Sequence, residues 1–496
     1  MSTGKIILVG DSRTVDEGVV EGNDSVYLSS RGPLSWFLAL AGNPLELFHF
    51  AEQGSNNQDE GSIIGSNNYT TQDIVTNFKR EVLDKEPSLV VLQIGTNDIE
   101  SNIPVSTIAS NIKTIVEMAN AANAQVWVAN IDPRNPTADN TSSNAFTEAQ
   151  ELTRTQLNNW LSRYCYSNQG CTLLDYASVL SHSSNSSVLL SEYTTDGKHW
   201  TSSAAFELAK RVWVPAWMKL NSLIRAERVY SVPSLYNAST NIYGNLLANA
   251  DFNGIQGVAG TDIVGIIPDN FKIERTVGST VTASSVISNT FAPVSRFNGS
   301  AELDSINKNI IALTTISNGQ GDNLETITLS GNDTAQAVTG KIDIGVEDSG
   351  WYEAQIEVHV PANYTSRIIR SIYLELTDED DTTDQVTRHF NTAYTDTDQT
   401  PNIQDHYPNN SHKLILRTPA LRVNGSETSL SFKLHIETDG SKQGSDTIFV
   451  LNPVLKKLPN IPSATYKSRL FIEDLDDNPR TLAVETTSLV LGDSYD

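Results

Sequence analysis

The chain reads as an α/β domain with a parallel sheet followed by an all-β sandwich, and three observations predict this. From Lys5 to about Arg225, short β-branched runs alternate with longer segments of helical period. Strand runs such as LVVLQI (Leu89–Ile94) are apolar on both faces, as a parallel sheet covered by helices requires. After Ala226 the helical period disappears, and alternating runs rich in Thr, Ser, Val and Ile take over.

In chain order, strands are predicted at Lys5–Val9, Leu45–Phe50, Leu89–Ile94, Gln125–Ile131 and Thr172–Leu174. Helices are predicted at Pro33–Ala41, Thr71–Leu83, Val105–Ala122, Thr147–Arg163 and from Ser202 to about Ile224. In the last of these Phe206, Ala209, Trp213, Ala216, Trp217 and Leu220 recur at three- and four-residue steps, so the helix has one apolar face to lay on the sheet. ITLSG, WYEAQIEVHV, SIYLELT, HKLILRT, LSFKLHIE and TIFVLNPVL are the strand signals of the sandwich. The expected organisation is therefore 1–225 α/β domain, 226–244 linker, 245–458 β-sandwich and 459–496 tail. The tail is too short for a core of its own and reads as a linker or an oligomerisation segment. Residues 1 to about 228 hold a core of their own and every candidate catalytic group, so alone they are expected to fold and to keep whatever chemistry those groups carry.

The 496 residues are too many for one core, and 39% apolar content can fill more than one. Lys and Arg number 34 against 59 Asp and Glu, a formal charge of −25, so the field of the whole chain repels polyanions and nucleic acid is not an expected partner. Such acidity suits a salty or extracellular medium. No run approaches about eighteen apolar residues, so no spanning helix is expected. No basic start with a long apolar segment precedes the first strand, so a cleaved secretion signal is not expected. Cys165 and Cys171 are equally compatible with a short-loop disulfide or two thiols.

Gly10-Asp11-Ser12 follows the first strand, and Gly492-Asp493-Ser494 lies near the chain's end. A serine hydroxyl is a weak nucleophile until a base takes its proton and a third group orients that base. His199, in TTDGKHWT, has Asp196 three residues upstream, placed to fold its carboxylate onto Nδ1. Strand LVVLQI runs into Gly95-Thr96-Asn97-Asp98 at the carboxyl edge of the sheet, where Ser12 also lies, so the Asn97 amide could face an oxygen beside Ser12. Nothing follows Ser494 that could serve as its base, and Ser494 is expected to be inert.

Ser after the first strand, G-x-N-D after a middle strand and D-x-x-H before the last helix, in that order, resemble the SGNH (GDSL) hydrolase superfamily over roughly residues 1–222. The resemblance implies a flavodoxin-like three-layer α/β/α domain with Ser12 as nucleophile, His199 as general base, Asp196 as its partner and Asn97 as an oxyanion donor. It also implies a second block whose glycine N–H completes the oxyanion hole. Here that block reads GSNNYTTQDI, with Asn68 in the glycine's register and Gly65 three residues before it, so both are candidates beside the Ser12 N–H. Asn tolerates a left-handed backbone better than most residues. The loop Gly54–Ser62 is expected to line the cleft. No G-x-S-x-G occurs, which excludes the α/β-hydrolase elbow.

No cofactor or metal is implied. There is no H-E-x-x-H, and the cysteines lack histidines at zinc spacing. Asp378, Asp380 and Asp384 lack the Gly and terminal Glu of an EF-hand loop and read as a solvated connection. NLLANADFNG (Asn245–Gly254) and the closing TIFVLNPVLKKL resemble jelly-roll modules of polysaccharide-active enzymes and phage tail proteins, which bind glycans through exposed aromatics. Trp351, Tyr352 and Tyr394 are candidates for that, unless they fill the sandwich. The expected activity is a serine esterase that removes acyl groups, O-acetyl foremost, from a polysaccharide, in the setting of a phage tail or the extracellular space. The partner is then an acylated polysaccharide, with no membrane insertion and with homo-oligomers left open. A small-ester esterase or lipase, and a glycan-binding adhesin with a vestigial site, are the alternatives.

Overall fold

A computed structural model of the chain describes residues 6–15, 17–21, 25–41, 63–65, 68–134, 144–182, 185–194, 196–220, 235–237, 239–276, 279–288, 309–322, 324–331, 341–343, 349–378, 386–391, 407–423 and 429–458. The expected strand Leu45–Phe50, the loop 54–62, Asp380, Asp384, Tyr394 and the tail with Ser494 lie outside the described residues.

The first domain contributes strands β1 (Ile6–Gly10), β2 (Gly18–Glu21), β3 (Ser25–Ser29), β4 (Ile63–Gly65), β5 (Leu89–Gln93), β6 (Gln125–Ala129) and β7 (Cys171–Leu174). Among the described residues, β4-β1-β5-β6-β7 form one sheet, parallel throughout. With the β2–β3 hairpin set aside, its order is 2-1-3-4-5, that of flavodoxin-like folds. Its helices are α1 (Ser12–Val15), α2 (Pro33–Ala41), α3 (Thr71–Glu81), α4 (Thr96–Glu100), α5 (Val105–Ala121), α6 (Glu148–Ser167), α7 (Tyr176–Leu180) and α8 (Ser202–Leu208). The helix expected from Ser202 onward continues from α8 through a π-helical turn, Ala209–Trp213, into Val214–Leu220. Cys165 and Cys171 form a disulfide that ties the end of α6 to the start of β7.

The period-two alternation of strand side chains divides the core. Ile7, Val9, Val90, Leu92, Val126 and Val128 point to a core shared with Ile74 and Phe78 of α3, Ile112 of α5 and Leu157 of α6. Ile6, Leu8, Val91, Trp127 and Leu174 point the other way, to Trp36 and Phe37 of α2, Phe206 of α8 and Trp213. That second core does not stop at the domain. It runs on into the β region through Ile372, Leu374, Phe390 and Leu414.

From Val258 onward the described residues form two sheets of mostly antiparallel strands, consistent with a β-sandwich. The sandwich accepts a hairpin from the first domain. β2 pairs with β3, and β3 pairs in parallel with Val386–Asn391, extending the sandwich's larger sheet. The register shifts between His389 and Asn391, and Phe390 sits there at φ 71°, a left-handed conformation that costs an aromatic residue about 1–3 kcal/mol. It turns the ring onto Trp36, centroid to centroid 4.4 Å, with Tyr407 and His412 also against the indole at 5.9 and 5.8 Å. Next to it, His389 accepts from the Arg417 N–H at Nδ1 (3.0 Å) and donates from Nε2 to the Ser35 carbonyl of α2 (3.1 Å). The first domain's core is thus closed on one side by its own helices and on the other by the sandwich.

Candidate active site

β1 is buried along its whole length and delivers the chain to the carboxyl edge of the sheet. Its last residue must be glycine, because a Cβ on Gly10 would lie 2.2 Å from Thr14 Oγ1 and 2.3 Å from the Gln93 carbonyl. The chain then turns into α1 with Ser12 as its first residue. The Arg13 N–H donates to Asp11 Oδ1 (3.1 Å), which steadies the turn.

The D-x-x-H segment folds as its spacing suggests. Gly197 takes a positive φ of 84°, which lets the chain double back on Asp196. Asp196 Oδ1 accepts from the Lys198 and His199 N–H groups, each at 2.8 Å, and Oδ2 accepts from His199 Nδ1 at 2.7 Å. With Nδ1 donating, Nε2 is the acceptor, and it lies 3.1 Å from Ser12 Oγ. Burial alone would raise the Asp196 carboxyl. The His199 hydrogen bond and charge, with the two main-chain donors, outweigh it and hold the carboxyl well below the usual range. Asp196 is therefore charged whenever His199 needs its Nδ1 proton held. Ser12, His199 and Asp196, separated by up to 187 positions, form one line of hydrogen bonds able to draw the proton from Ser12 Oγ.

Asn97 lies in α4 at the same edge. Gly95 before it has φ 118°, so the sharp entry into α4 favours glycine. The Asn97 amide donates to the Tyr69 carbonyl at 2.9 Å, which brings it against the second block. Asp98, fully buried, accepts from the Thr71 N–H (3.0 Å) and the Thr71 hydroxyl (2.6 Å). Burial raises the Asp98 carboxyl despite the Thr71 hydrogen bonds. Asn97 and Asp98 together fasten residues 69–71 to the end of β5. Asn68, the residue before that fastening, is exposed in a turn, whereas Gly65 lies in the β4 ladder opposite Gly10.

Sequence reasoning missed a group of buried charges beside these residues. Arg13 forms an ion pair with Asp132, just past β6, and Asp132 also accepts from the Trp200 indole N–H at 3.2 Å. The Arg13 guanidinium stacks over the Trp200 ring, 5.1 Å from its centroid. Arg13 follows Ser12 and Trp200 follows His199, so this clamp holds the Ser12 turn and the His199 loop in register. Arg134 is 1% exposed and pairs with Glu100 at 2.7 Å; Lys198 reaches the same carboxylate at 3.6 Å. Burial lowers the Arg134 and Lys198 cations, their proximity to each other lowers the Lys198 amine further, and burial raises the Asp11 carboxyl. The signal for the clamp was present only as residue types adjacent to Ser12 and His199. Its third member comes from an unrelated loop.

Trp351 and Tyr352 are 5% and 1% exposed and fill the sandwich instead of presenting rings to solvent. Asp378 is buried at the end of its strand. Among the described residues, no group of three or more His, Cys, Asp or Glu is placed to hold a metal ion, and no helix is long and apolar enough to cross a membrane.

Residues 8–203 match the family model described as GDSL-like lipase/acylhydrolase. No curated protein matches the chain significantly. Among solved structures, the chain is similar to a GDSL-like lipase from Bacteroides thetaiotaomicron at 18% identity, over 44% of this chain and 89% of that one, with a TM-score of 0.32. It is also similar to an acetylxylan esterase from Geobacillus stearothermophilus at 13% identity, over 46% of this chain and 98% of that one, with a TM-score of 0.33. The matched residues, 8–203, hold four of the five strands of the parallel sheet in full, most of the fifth, and Ser12, Asn97, Asp196 and His199.

Proposed function

We propose that the chain is a serine esterase that removes acyl groups, O-acetyl foremost, from a polysaccharide. The observation that carries the chemistry is the hydrogen-bonded line Ser12–His199–Asp196 at the carboxyl edge of a GDSL-family sheet. Ser12 Oγ attacks the ester carbonyl as His199 Nε2 takes its proton, and Asp196 steadies the imidazolium. The oxyanion is held by the Ser12 N–H, the Asn97 amide and a main-chain N–H of the second block. Asn68 is the donor we favour there, because it adjoins the residue fastened to Asn97 while Gly65 belongs to the sheet. Each such donor is worth about 3–4 kcal/mol of barrier. His199 returns the proton to the leaving alcohol, then draws one from water, and the hydroxide equivalent releases the carboxylic acid from Ser12.

The polysaccharide part of the reading rests on the sandwich and on the way its sheet and core are built into the first domain. A phage tail component acting on a host surface glycan is the setting this combination favours. The domains we assign are 1–225 esterase, 226–244 linker, 245–458 accessory sandwich and 459–496 tail. The test is acetate release from a panel of O-acetylated polysaccharides beside turnover of p-nitrophenyl acetate. Release from at least one polymer is expected. Turnover of the small ester alone would leave a general esterase, and turnover of neither would leave a binding protein.

A further inference from the structure

On the sandwich side of the loop that carries Asp196 and His199 lies a cleft of about 630 Å³, within the range of small-molecule sites. One wall comes from the first domain, with Glu192, Tyr193 and Glu207; the other comes from the sandwich, with Tyr364, Arg370 and Lys442. We propose that this interdomain cleft is a binding site for neutral sugar residues of the polymer, distinct from the ester-cleaving site. The proposal rests on the polysaccharide reading above and adds the place where the chain is held.

Tyr364 is the first reason. Its side chain is 69% exposed, yet its hydroxyl donates to Asn410 Oδ1 at 2.7 Å, and the Asn410 amide donates across the cleft to Glu207 at 3.2 Å. The ring is therefore tethered at its tip while its faces stay open to solvent. An aromatic face held in that way suits the apolar C–H face of a pyranose ring, and little rotamer freedom remains to be lost on binding. The same hydrogen-bond chain joins the two domains, so the platform exists only when both are present.

Charge balance is the second reason. Arg370 and Lys442 both pair with Asp439, and Arg211 stands 3.8 Å from Glu207. Counted with the groups they pair with, the wall charges are Arg211, Arg367, Arg370 and Lys442 against Glu192, Glu207, Asp439 and Asp446, which leaves no surplus of either sign to select an anionic or cationic ligand. What they present is a ring of donors and acceptors, the complement of a hydroxyl-rich neutral ligand.

Connectivity is the third. The Thr201 hydroxyl donates to the Glu192 carbonyl (2.8 Å) and its N–H to the Tyr193 carbonyl (3.1 Å), closing the segment 192–201 into one compact loop. That loop supplies a wall of the cleft at one end and Asp196 and His199 in its middle. A polymer seated in the cleft is thus held by the element that positions the base.

Two arms test this in the full-length chain. In the first, Tyr364→Ala should raise KM for an acetylated oligosaccharide by about tenfold with kcat little changed, leave p-nitrophenyl acetate kinetics untouched, and be rescued by Tyr364→Trp. In the second, the Ser12→Ala chain is titrated with unacylated cellotetraose, xylotetraose and chitotetraose, and at least one should bind in a manner lost with Tyr364→Ala. Because it needs no turnover, this arm still decides the cleft if no acetylated polymer proves to be a substrate. Wild-type KM in Tyr364→Ala, or no binding by any of the three, would overturn the proposal while leaving the esterase assignment in place.

Discussion

The two faces of the parallel sheet have different neighbours. Toward α3, α5 and α6, Ile7, Val9, Val90 and Val128 close on helices from the same stretch of chain. Toward α2 and α8, Ile6, Leu8, Val91 and Trp127 open a core that continues into strands more than two hundred residues later. The proposed catalytic groups sit at the edge between these faces. The comparison teaches that the first domain, which holds every proposed catalytic group, is incomplete in its packing.

The largest expected effect follows from cutting along the boundary. Expressed alone, residues 1–228 would leave β3 without Val386–Asn391 beside it and strip Trp36 of Phe390, Tyr407 and His412. An unpaired strand beside exposed aromatics is an aggregation site. Against the expectation from sequence, the fragment should be poorly soluble or lack a cooperative thermal transition. A soluble fragment with full activity on p-nitrophenyl acetate would show that the shared core is dispensable.

Next comes the chemistry, which should be separable from packing. His199→Ala should lower kcat at least about a thousandfold while urea unfolding stays unchanged, because His199 is partly exposed and, among the described residues, its ring hydrogen-bonds to Asp196 and Ser12. Retention of more than a tenth of the activity would remove His199 from the mechanism.

Substitutions in the two cores sharpen the contrast further. Trp36→Ala and Ile112→Ala remove fully buried side chains on opposite faces and should cost about 3–5 and 2–5 kcal/mol. The difference lies in how the loss appears. Trp36 is wedged against Phe390, Tyr407 and His412 of the sandwich, so its removal should split unfolding into two transitions. Ile112 lies in the self-contained core, and its loss should shift the transition as a whole. Calorimetry of both variants checks this.

The smallest effect is a pH dependence at the junction. Burial holds His389 down to about 4 and His412 to about 3, against a few opposing hydrogen bonds. Both stay neutral in the folded chain while their unfolded counterparts charge near 6.5. Between these values the unfolded state binds more protons, so their contribution to stability is full above about 6.5 and falls as pH drops toward 4, by about 1.4 kcal/mol per unit per histidine. Asp11 and Asp98, raised by burial, act in the opposite direction, so a variant is needed to isolate the term. Urea midpoints between pH 7 and 5 should fall in the wild type and fall less steeply in His389→Gln.

Legibility in the sequence followed the same division. Runs such as IILVG, LVVLQ and QVWVA show their strands locally, and the helices between them carry a clear period. Ser12, Asn97, Asp196 and His199 were legible because each lies in a short motif at the end of such an element. The β2–β3 hairpin was not. GVVE and SVYLS are weak strands flanked by Gly, Asn and Asp, and the partner that stabilises them is Val386–Asn391, for which no local pattern speaks. The Arg13–Asp132–Trp200 clamp escaped for the same reason, since its members come from α1 and two separate loops. Trp351 and Tyr352 show the converse: rings on a strand read equally well as platform or core until the second sheet is in place.

The central claim is that one serine, at the edge between the two faces, carries the acyl group. A fluorophosphonate probe applied to the full-length chain, followed by peptide mapping, measures this directly. Labelling of Ser12 alone is predicted, abolished together with turnover in Ser12→Ala and unaffected by Ser494→Ala. Labelling that survives Ser12→Ala, or that maps to the terminal peptide containing Ser494, would contradict it.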